Sequence, residues 1–182
     1  MVLNAGKTIN GKNDYVSLAK QGDKEAFIYL IQENKTNLYR VAKAMLKHEA
    51  DVEDAMQMTI MKAYEQIKRL KKDRYFKTWL IRILINQCND TLRAKKKVIS
   101  LENVSKEVGI HEDSYQDMDI QAAIYSLKDE LKSVTVLFYY EDLTTKDIAR
   151  LLKIPEGTVR SRLSTARVLL QKRLKFSEGE KE

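Results

Sequence analysis

The sequence is poor in the residues that build disulfides, tight turns and metal sites. Its 182 residues include one cysteine, one proline, six glycines and two histidines. The single Cys88 excludes an internal disulfide and the paired spacing of a metal or redox site, so we expect a small buried hydrophobe there. So little glycine and proline leaves few tight hairpins, and an all-α protein is predicted. Neither a metal nor a cofactor is expected.

Long apolar runs are also missing. The longest, Trp79 to Ile85, is interrupted by Arg82 and is too short to span a bilayer. The first residues, Met1 to Asn13, lack the apolar centre of a secretory signal. We therefore expect a cytoplasmic protein with no direct membrane insertion.

Positive charge is in excess. The formal net charge of +7 favours a polyanionic partner. The charge is also segregated, because no acid occurs from Gly157 to Lys175, whereas Val98 to Asp119 is strongly acidic and loses helical periodicity. We interpret the acidic stretch as a flexible linker. The predicted organisation is a tail (1–13), a helical domain (14–97), the linker (98–119), a second helical domain (120–175) and a tail (176–182).

The boundaries of the first helices can be predicted from capping and turn residues. A short helix from about Asp14 to Lys20 is expected to end at Gly22, and Asp23 then caps a longer helix. A break in that longer helix is expected near Asn34 to Asn37, because asparagine favours turns.

The stretch Thr144 to Leu174 predicts a helix-turn-helix. Thr144 and Asp147 form a capping box for its first helix. The turn is Lys153-Ile154-Pro155, with the proline at the start of the second helix, where its missing N–H costs nothing. The second helix has an inward apolar stripe at 100° per residue, made of Val159, Leu163, Ala166 and Leu170.

The opposite side of that second helix carries small polar groups flanked by arginines. Short side chains let a helix approach base edges in the major groove, while arginines hold phosphates. An ordinary amphipathic helix with a solvated basic face is the alternative. The residues expected to contact duplex DNA are Thr144, Glu156, Gly157, Thr158, Arg160, Ser161, Arg162, Ser164, Thr165 and Arg167.

A helix from about Asp51 to Leu70 has one unusual face. Carboxylate, amide and large apolar side chains are mixed where plain solvent exposure would favour charges, which is typical of a surface that docks another protein. The alternative is that Met58 and Met61 contact another helix of the same domain. The expected docking residues are Asp51, Asp54, Gln57, Met58, Met61 and Tyr64.

A basic and aromatic segment follows this helix. Cations that follow phosphates, interleaved with rings that stack on unpaired bases, suit a single nucleic-acid strand. Phe76 and Trp79 have the spacing of core residues as well, so this alternative stays open for both. The expected strand-binding residues are Lys71, Lys72, Arg74, Tyr75, Phe76, Lys77, Trp79, Arg82, Asn86 and Arg93.

Four stretches in this order resemble the extracytoplasmic-function (ECF) sigma factors, of the sigma-70 family of bacterial RNA polymerase. GDKEAFIYLIQENKTNLYRVA resembles the opening helices of sigma region 2, and DVEDAMQMTIMKAYEQI its core-polymerase-binding helix. FKTWLIRILINQCNDTLRAKKK is similar to the helix that melts and reads the minus-ten element, and IPEGTVRSRLSTAR to the region 4 helix that reads the minus-thirty-five element. Met58 and Ile60 depart from the acidic and aromatic residues common in the family at these positions.

The resemblance implies a function and its partners. Core RNA polymerase would bind through the clamp helices of its β′ subunit and through its β flap, and promoter DNA would bind both domains. An anti-sigma factor, often membrane-anchored in this family, would hold the protein inactive, and the regulon would serve a stress or envelope response. A stand-alone helix-turn-helix regulator of duplex DNA is the alternative. An enzyme is not expected, because the sequence has no phosphate-binding glycine loop, metal cluster or nucleophile–base set.

Overall fold

The computed structural model describes residues 12–101 and 115–179, with the side chains of residues 14–95 and 120–174. The regular structure within these ranges is entirely helical, so the prediction of an all-α protein is confirmed. None of the helices in this part of the chain is long and apolar enough to cross a membrane. The helices are α1 (Lys12–Lys20), α2 (Lys24–Met45), α3 (Glu49–Gln66), two 3-10 turns (Ile67–Arg69 and Asp73–Tyr75), α4 (Phe76–Leu101), α5 (Tyr115–Tyr125), α6 (Asp129–Tyr139), α7 (Thr145–Leu152) and α8 (Glu156–Gly179).

Helix α4 continues to Leu101 and α5 begins at Tyr115, both inside the range 98–119 that was interpreted as a linker. The remainder of that range, residues 102–114, lies outside the described residues, as do residues 1–11 and 180–182 of the expected tails.

The junction of α1 and α2 follows the prediction. Gly22 has a φ of +102°, a left-handed conformation that glycine adopts without strain. Asp23 is the N-cap of α2, and its Oδ1 accepts a hydrogen bond of 2.9 Å from the amide of Ala26. This cap satisfies one of the amides left unpaired at a helix start.

Helix α2 runs without interruption through Asn34 and Asn37, so the expected break is wrong. Asn34 donates from Nδ2 to the carbonyl oxygen of Leu30 at 2.7 Å, one turn back along the same helix. Leu30, Ile31 and Leu38 are buried on either side of it. The burial of this apolar face outweighs the weak local preference of asparagine for a turn.

The first half of the chain, α1 to α4, packs around the face shared by α2, α3 and α4. Val41, Val52, Leu80 and Leu84 have almost no exposed surface. Thr59 is buried with them, and its hydroxyl donates to the carbonyl oxygen of Ala55 at 2.7 Å. Cys88 is buried as expected, and that burial raises the pKa of its thiol to about 12. The residues of α3 buried in this core are Val52, Ala55, Met56, Thr59 and Ala63, followed by Ile67 just after the helix.

The second half, α5 to α8, contains the predicted helix-turn-helix. Thr144 is the N-cap of α7, and its hydroxyl accepts from the amide of Asp147 at 3.2 Å. Lys153 ends α7 in the left-handed conformation, with a φ of 56°. The turn then passes through Pro155 into α8, so the two helices are joined as the sequence indicated.

The two halves are in contact. A single cluster of buried apolar side chains runs from the first half into the second, where it includes Ile124, Val134, Leu137, Ile148 and Val159. Helix α2 contacts α5 and α6, and α4 contacts α6 and α7. The two halves therefore pack against each other through a shared apolar core.

Candidate nucleic-acid interface

The buried apolar residues of α8 determine which of its other residues face outward. Val159, Leu163 and Ala166 are buried against α5, α6 and α7, and Leu170 is partly buried next to them. The stripe predicted from the sequence is therefore confirmed. Because these four residues fix the rotation of the helix, the residues between them face away from the protein.

We call that outward side the recognition face and define it by Gly157, Thr158, Arg160, Ser161, Ser164 and Thr165. Thr158 is half-buried and the other five are exposed. The hydroxyl of Ser161 donates to the carbonyl oxygen of Thr158 at 3.0 Å, and that of Thr165 to the carbonyl oxygen of Ser161 at 3.0 Å. These bonds fold the short side chains back on the helix, so another backbone or a base edge can approach closely.

Glu156 links the two helices of the motif. Its Oε1 accepts from the hydroxyl of Thr145 at 2.7 Å and from Arg160 at 2.8 Å. The hydrogen bond from Thr145, followed by that from Arg160, holds the pKa of the Glu156 carboxyl below its usual range. The first turn of α8 is thereby tied to the first turn of α7.

Three other residues expected to contact duplex DNA lie outside the recognition face, and two of them are bonded within the protein. The hydroxyl of Thr144 accepts from the Asp147 amide and donates to the Asp147 carboxylate at 2.7 Å, so the helix cap occupies it. Arg167 donates to the Tyr139 hydroxyl at 3.0 Å and lies over the ring of Phe138. Arg162 is half-buried at the edge of the recognition face.

A second surface lies on α3. Met58, Met61 and Tyr64 are 43%, 57% and 46% exposed, and Asp54 and Gln57 are exposed beside them. No other described helix covers the two methionines, so they are not part of this domain's own core. We call these five residues the docking face.

Asp51 is separate from the docking face. Its side chain is only 17% exposed, and its carboxylate pairs with the ammonium group of Lys95 on α4. This correction to the expected docking set has a simple cause: Asp51 lies on the side of α3 that faces α4, where an ion pair offsets its partial burial.

The loop between α3 and α4 presents the basic and aromatic groups. Lys71, Lys72, Arg74 and Tyr75 are exposed. The guanidinium of Arg74 lies 4.8 Å from the centre of the Tyr75 ring and donates to its hydroxyl at 3.1 Å. The loop is anchored to α1 by an ion pair of 2.8 Å between Lys20 and Asp73.

Phe76 is a correction to the expected strand-binding set. Its side chain is 4% exposed, and it lies in the core of the first half. Phe76 begins α4, and one-turn spacing places it on the buried side with Leu80 and Ile83. Trp79 is half-buried, with its ring centre 5.9 Å from that of Phe76, so the core alternative holds fully for Phe76 and in part for Trp79.

A polar groove of about 370 Å³ lies between α3 and α4, and we call it the amide groove. Asn86 and Arg93 of the expected set line it, and half-buried Arg82 lies one turn before Asn86. Amide side chains carry both donors and acceptors, which can match the edge of a base. Sequence reasoning missed the other lining residues, which are Lys62, Gln66, Ile83, Gln87, Asn89 and Asp90.

One signal in the sequence could have found part of the amide groove. Asn86, Asp90 and Arg93 follow one another at helical spacing on α4, and Lys62 and Gln66 do so on α3. The contact between these two sets of residues is not visible in either stretch alone. Lys62 donates to the Gln87 side chain at 3.0 Å, which joins the two walls.

Lys77 is not brought to the amide groove. It lies half a helical rotation from Asn86 at about 100° per residue. Its ammonium group is 3.3 Å from the carboxylate of Glu141 in the second half of the chain. The structure thus separates Lys77 from Asn86 and Arg93 of the expected strand-binding set.

Two stretches of the chain match known family models. Residues 30–98 match Sigma-70 region 2, and residues 117–170 match Sigma-70 region 4. The ECF RNA polymerase sigma factor SigW of Bacillus subtilis is 30% identical over 177 residues, covering 88% of this chain and 95% of that protein.

Two solved structures are similar to the fold. CnrH in complex with the cytosolic domain of CnrY has a TM-score of 0.69 at 22% identity, covering 90% of this chain and 97% of that one. The sigma factor RpoE of Bartonella quintana, in complex with the anti-sigma factor NepR, has a TM-score of 0.67 at 26% identity, covering 80% and 96%.

Proposed function

Since this chain belongs to the sigma-70 family, among its ECF RNA polymerase sigma factors, we propose that it directs core RNA polymerase to promoters through three separate surfaces. The recognition face on α8 would bind the minus-thirty-five duplex. The docking face on α3 would bind polymerase. The amide groove and the basic loop beside it would hold the non-template strand at the minus-ten element.

The shape and charge of the recognition face support its proposed role in binding duplex DNA. Gly157, Ser161 and Ser164 leave the outward side of α8 shallow, which lets the helix enter a major groove. Arg160 and Arg162 flank this side and would hold phosphates on either strand, which positions the helix without reading bases itself. Base reading would fall to the small polar side chains.

The exposed apolar area of the docking face supports its proposed role in binding polymerase. Met58, Met61 and Tyr64 lie within two turns of α3, bordered by Asp54 and Gln57. Flexible methionines and an aromatic ring with a polar rim are typical of the centre of a protein interface. By the resemblance to the family, this surface would bind the clamp helices of the β′ subunit, and the second half would bind the β flap.

The amide groove supports a role with unpaired bases. Extruding a base from the duplex costs a few kcal/mol. Stacking on a ring such as Tyr75 contributes about 1–3 kcal/mol per base, so it could offset much of that cost. Lys71, Lys72 and Arg74 lie beside Tyr75 and would follow the phosphates of the same strand.

The proposed role requires binding only. Polymerase would supply the chemistry, so we propose that the chain is not an enzyme and that it acts in the cytoplasm, where transcription takes place. Of the two similar structures, one holds CnrH with the cytosolic domain of CnrY, and the other holds the sigma factor RpoE with the anti-sigma factor NepR. We propose that an anti-sigma factor binds this chain too.

The observation that carries the proposal is the presence of region 2 and region 4 in one chain, each with an exposed candidate face. A stand-alone duplex-binding regulator would leave the docking face and the amide groove without a task. The test is transcription in vitro with sigma-free core polymerase on genomic fragments, followed by mapping of start sites. Discrete start sites that depend on this chain are expected. Specific duplex binding with no effect on polymerase would refute the proposal.

A further inference from the structure

Arg167 lies along the same edge of the recognition face as Arg160, about two helical turns further on α8. At a rise of about 1.5 Å per residue, the two side chains start about 10 Å apart along the helix axis. Both arginines are exposed, and each has a hydrogen-bond partner in the protein. The two partners differ in charge, and this difference decides what each arginine can offer to a phosphate.

Two aromatic residues of α6 hold Arg167. Its Nε donates a hydrogen bond of 3.0 Å to the hydroxyl of Tyr139. Its guanidinium carbon lies 5.6 Å from the centre of the Phe138 ring, within the range of a cation–π contact. The two rings are in edge-to-face contact, with their centres 5.0 Å apart. We call Phe138 and Tyr139 the aromatic holder, because they fix the guanidinium of a long and flexible side chain.

The aromatic holder is anchored in the packing of the second half. Phe138 is half-buried against the core, and α6 contacts α8. Tyr139 is the last residue of α6 and is 51% exposed, so it gains little from its own burial. The hydroxyl of Tyr139 therefore lies beside Arg167 because the residue before it is fixed in the core.

The bond to Tyr139 uses only one edge of the Arg167 guanidinium. A guanidinium carries five N–H groups, and Nε holds one of them. The two terminal nitrogens form a second edge, whose spacing matches two oxygens of a phosphate. Because the tyrosine hydroxyl is neutral, Arg167 can bind a phosphate at this second edge and keep its bond to Tyr139.

Arg160 has a charged partner instead. The carboxylate of Glu156 lies 2.8 Å from its guanidinium and competes with a phosphate for it. Even after the exchange, the negative charge of Glu156 stays close to the incoming phosphate and repels it. Of the two arginines on this edge, Arg167 is therefore the one that is ready to bind a phosphate in the free chain.

We propose that Phe138 and Tyr139 are positioning residues for Arg167, and that Arg167 is the main phosphate anchor on the edge that it shares with Arg160. Ordering a free arginine on DNA costs conformational entropy, and the aromatic holder removes much of this cost before DNA arrives. Phosphate contacts fix where a helix lies in a groove, so this anchor sets the position of α8 on the duplex. Its role at promoters rests on the proposed function, whereas the phosphate contact is testable on any duplex.

The first experiment measures binding of the full-length chain to a labelled duplex of random sequence at several low salt concentrations. Arg167→Ala should weaken binding about tenfold and reduce the slope of log affinity against log salt by about one, because one phosphate contact is lost. Arg160→Ala should weaken binding less. Arg40→Ala, which removes an exposed arginine of α2, should change neither quantity. An equal or larger loss from Arg160→Ala, or from the control, would overturn the proposal.

Tyr139→Phe tests the aromatic holder. This variant keeps the ring and removes the hydroxyl that accepts from Arg167. We expect binding about threefold weaker with an unchanged salt slope, because the phosphate contact still forms once the freed side chain is ordered. Tyr39→Phe, which removes the hydroxyl of a tyrosine that is 40% exposed on α2, is the matched control and should bind like wild type. Wild-type binding by Tyr139→Phe would overturn its positioning role.

A double variant separates positioning from a direct contact between Tyr139 and DNA. Tyr139→Phe combined with Arg167→Ala should bind as well as Arg167→Ala alone, because the holder then has nothing to hold. Arg167→Lys keeps the charge and lacks the Nε donor, so adding Tyr139→Phe to it should also change nothing. Additive losses in either pair would overturn the proposal, since Tyr139 would then act on DNA without Arg167.

Start-site mapping with core polymerase separates this inference from the proposed function. If Tyr139 and Arg167 prove coupled in duplex binding and the wild-type chain yields no discrete start sites, the proposed function fails and the phosphate anchor stands. If the wild-type chain yields discrete start sites and its duplex affinity does not depend on Arg167, the anchor is refuted and the proposed function stands.

Discussion

The guanidinium of Arg160 lies 2.8 Å from the carboxylate of Glu156, one turn earlier on α8. This pair lies on the exposed surface, where an ion pair contributes little to stability. Its effect is to hold the Arg160 side chain along the edge of the recognition face. An arginine with one partner in the free chain can exchange it for a phosphate when DNA arrives.

Arg160→Ala should weaken promoter binding several-fold and leave core-polymerase association unchanged. The loss should be similar for all sequences, because a phosphate contact carries no base information. The slope of log affinity against log salt should fall by about one. Titration of a labelled duplex with the reconstituted holoenzyme at several salt concentrations measures both quantities.

Arg40→Ala is the matched control for this variant. Arg40 is an exposed arginine on α2, in the other half of the chain. The Arg40→Ala variant should bind the duplex with the affinity of wild type and with the same slope of log affinity against log salt. Equal losses from both variants would mean that net charge, and not the recognition face, governs binding.

Met61→Ala should weaken association with core polymerase about tenfold and leave the thermal stability of the free chain nearly unchanged. The side chain is 57% exposed, so it contributes little to folding, whereas at the centre of an interface it would be fully desolvated. Competition for core polymerase against the labelled wild-type chain measures the change.

Ile120→Ala is the control for the docking face. It truncates an apolar side chain of similar exposure, 51%, on α5. Normal association of this control with core polymerase is expected. If Met61→Ala competes as well as wild type, α3 does not carry the docking surface.

Asn86→Ala should relax the preference for one base of the minus-ten strand. An amide that pairs with a base edge contributes about 1–3 kcal/mol of discrimination in well-characterised DNA readers. Binding of the holoenzyme to single-stranded oligonucleotides that differ at one position measures the preference. Gln32→Ala, which removes an exposed amide from α2, should change no preference. A uniform loss across all oligonucleotides would assign Asn86 to backbone contacts.

Local features of the fold could be predicted from the sequence because their causes are local. The cap at Thr144 and the turn at Lys153 depend on side chains and backbone within a few residues. The inward stripe of α8 follows from helical periodicity alone. These are also the features that position the recognition face, so its main residues were predictable.

Features that depend on distant packing could not be predicted. Asn37 was expected to break α2, and its side chain instead bonds Glu141, which is far away in sequence. Phe76 lies in the basic and aromatic segment, so it was expected to bind a strand. Its burial depends instead on where α2 and α3 lie. The amide groove has its walls on two helices, and neither helix shows it alone.

The ion pair and hydrogen bond of Glu156 should make the thermal stability of the protein depend on pH. The Thr145 hydroxyl and the Arg160 guanidinium stabilise the charged form of Glu156 and hold its pKa below the usual range. A carboxyl with a lowered folded-state pKa contributes its stability above the unfolded-state pKa and loses it as the pH falls through the folded-state value. Wild type should therefore be more resistant to heat than Glu156→Gln at neutral pH, by a small margin because the site is exposed.

That margin should shrink as the pH falls below the usual range of a glutamate carboxyl and disappear once the pH is below the lowered folded-state pKa of Glu156. Thermal unfolding followed by circular dichroism between neutral and acidic pH measures it, with Glu25→Gln, an exposed glutamate in the first turn of α2, as the control. A margin that persists unchanged in acid would mean that glutamine fails to fit the turn for steric reasons. The charge-assisted link between α7 and α8 would then not be what stabilises the helix-turn-helix.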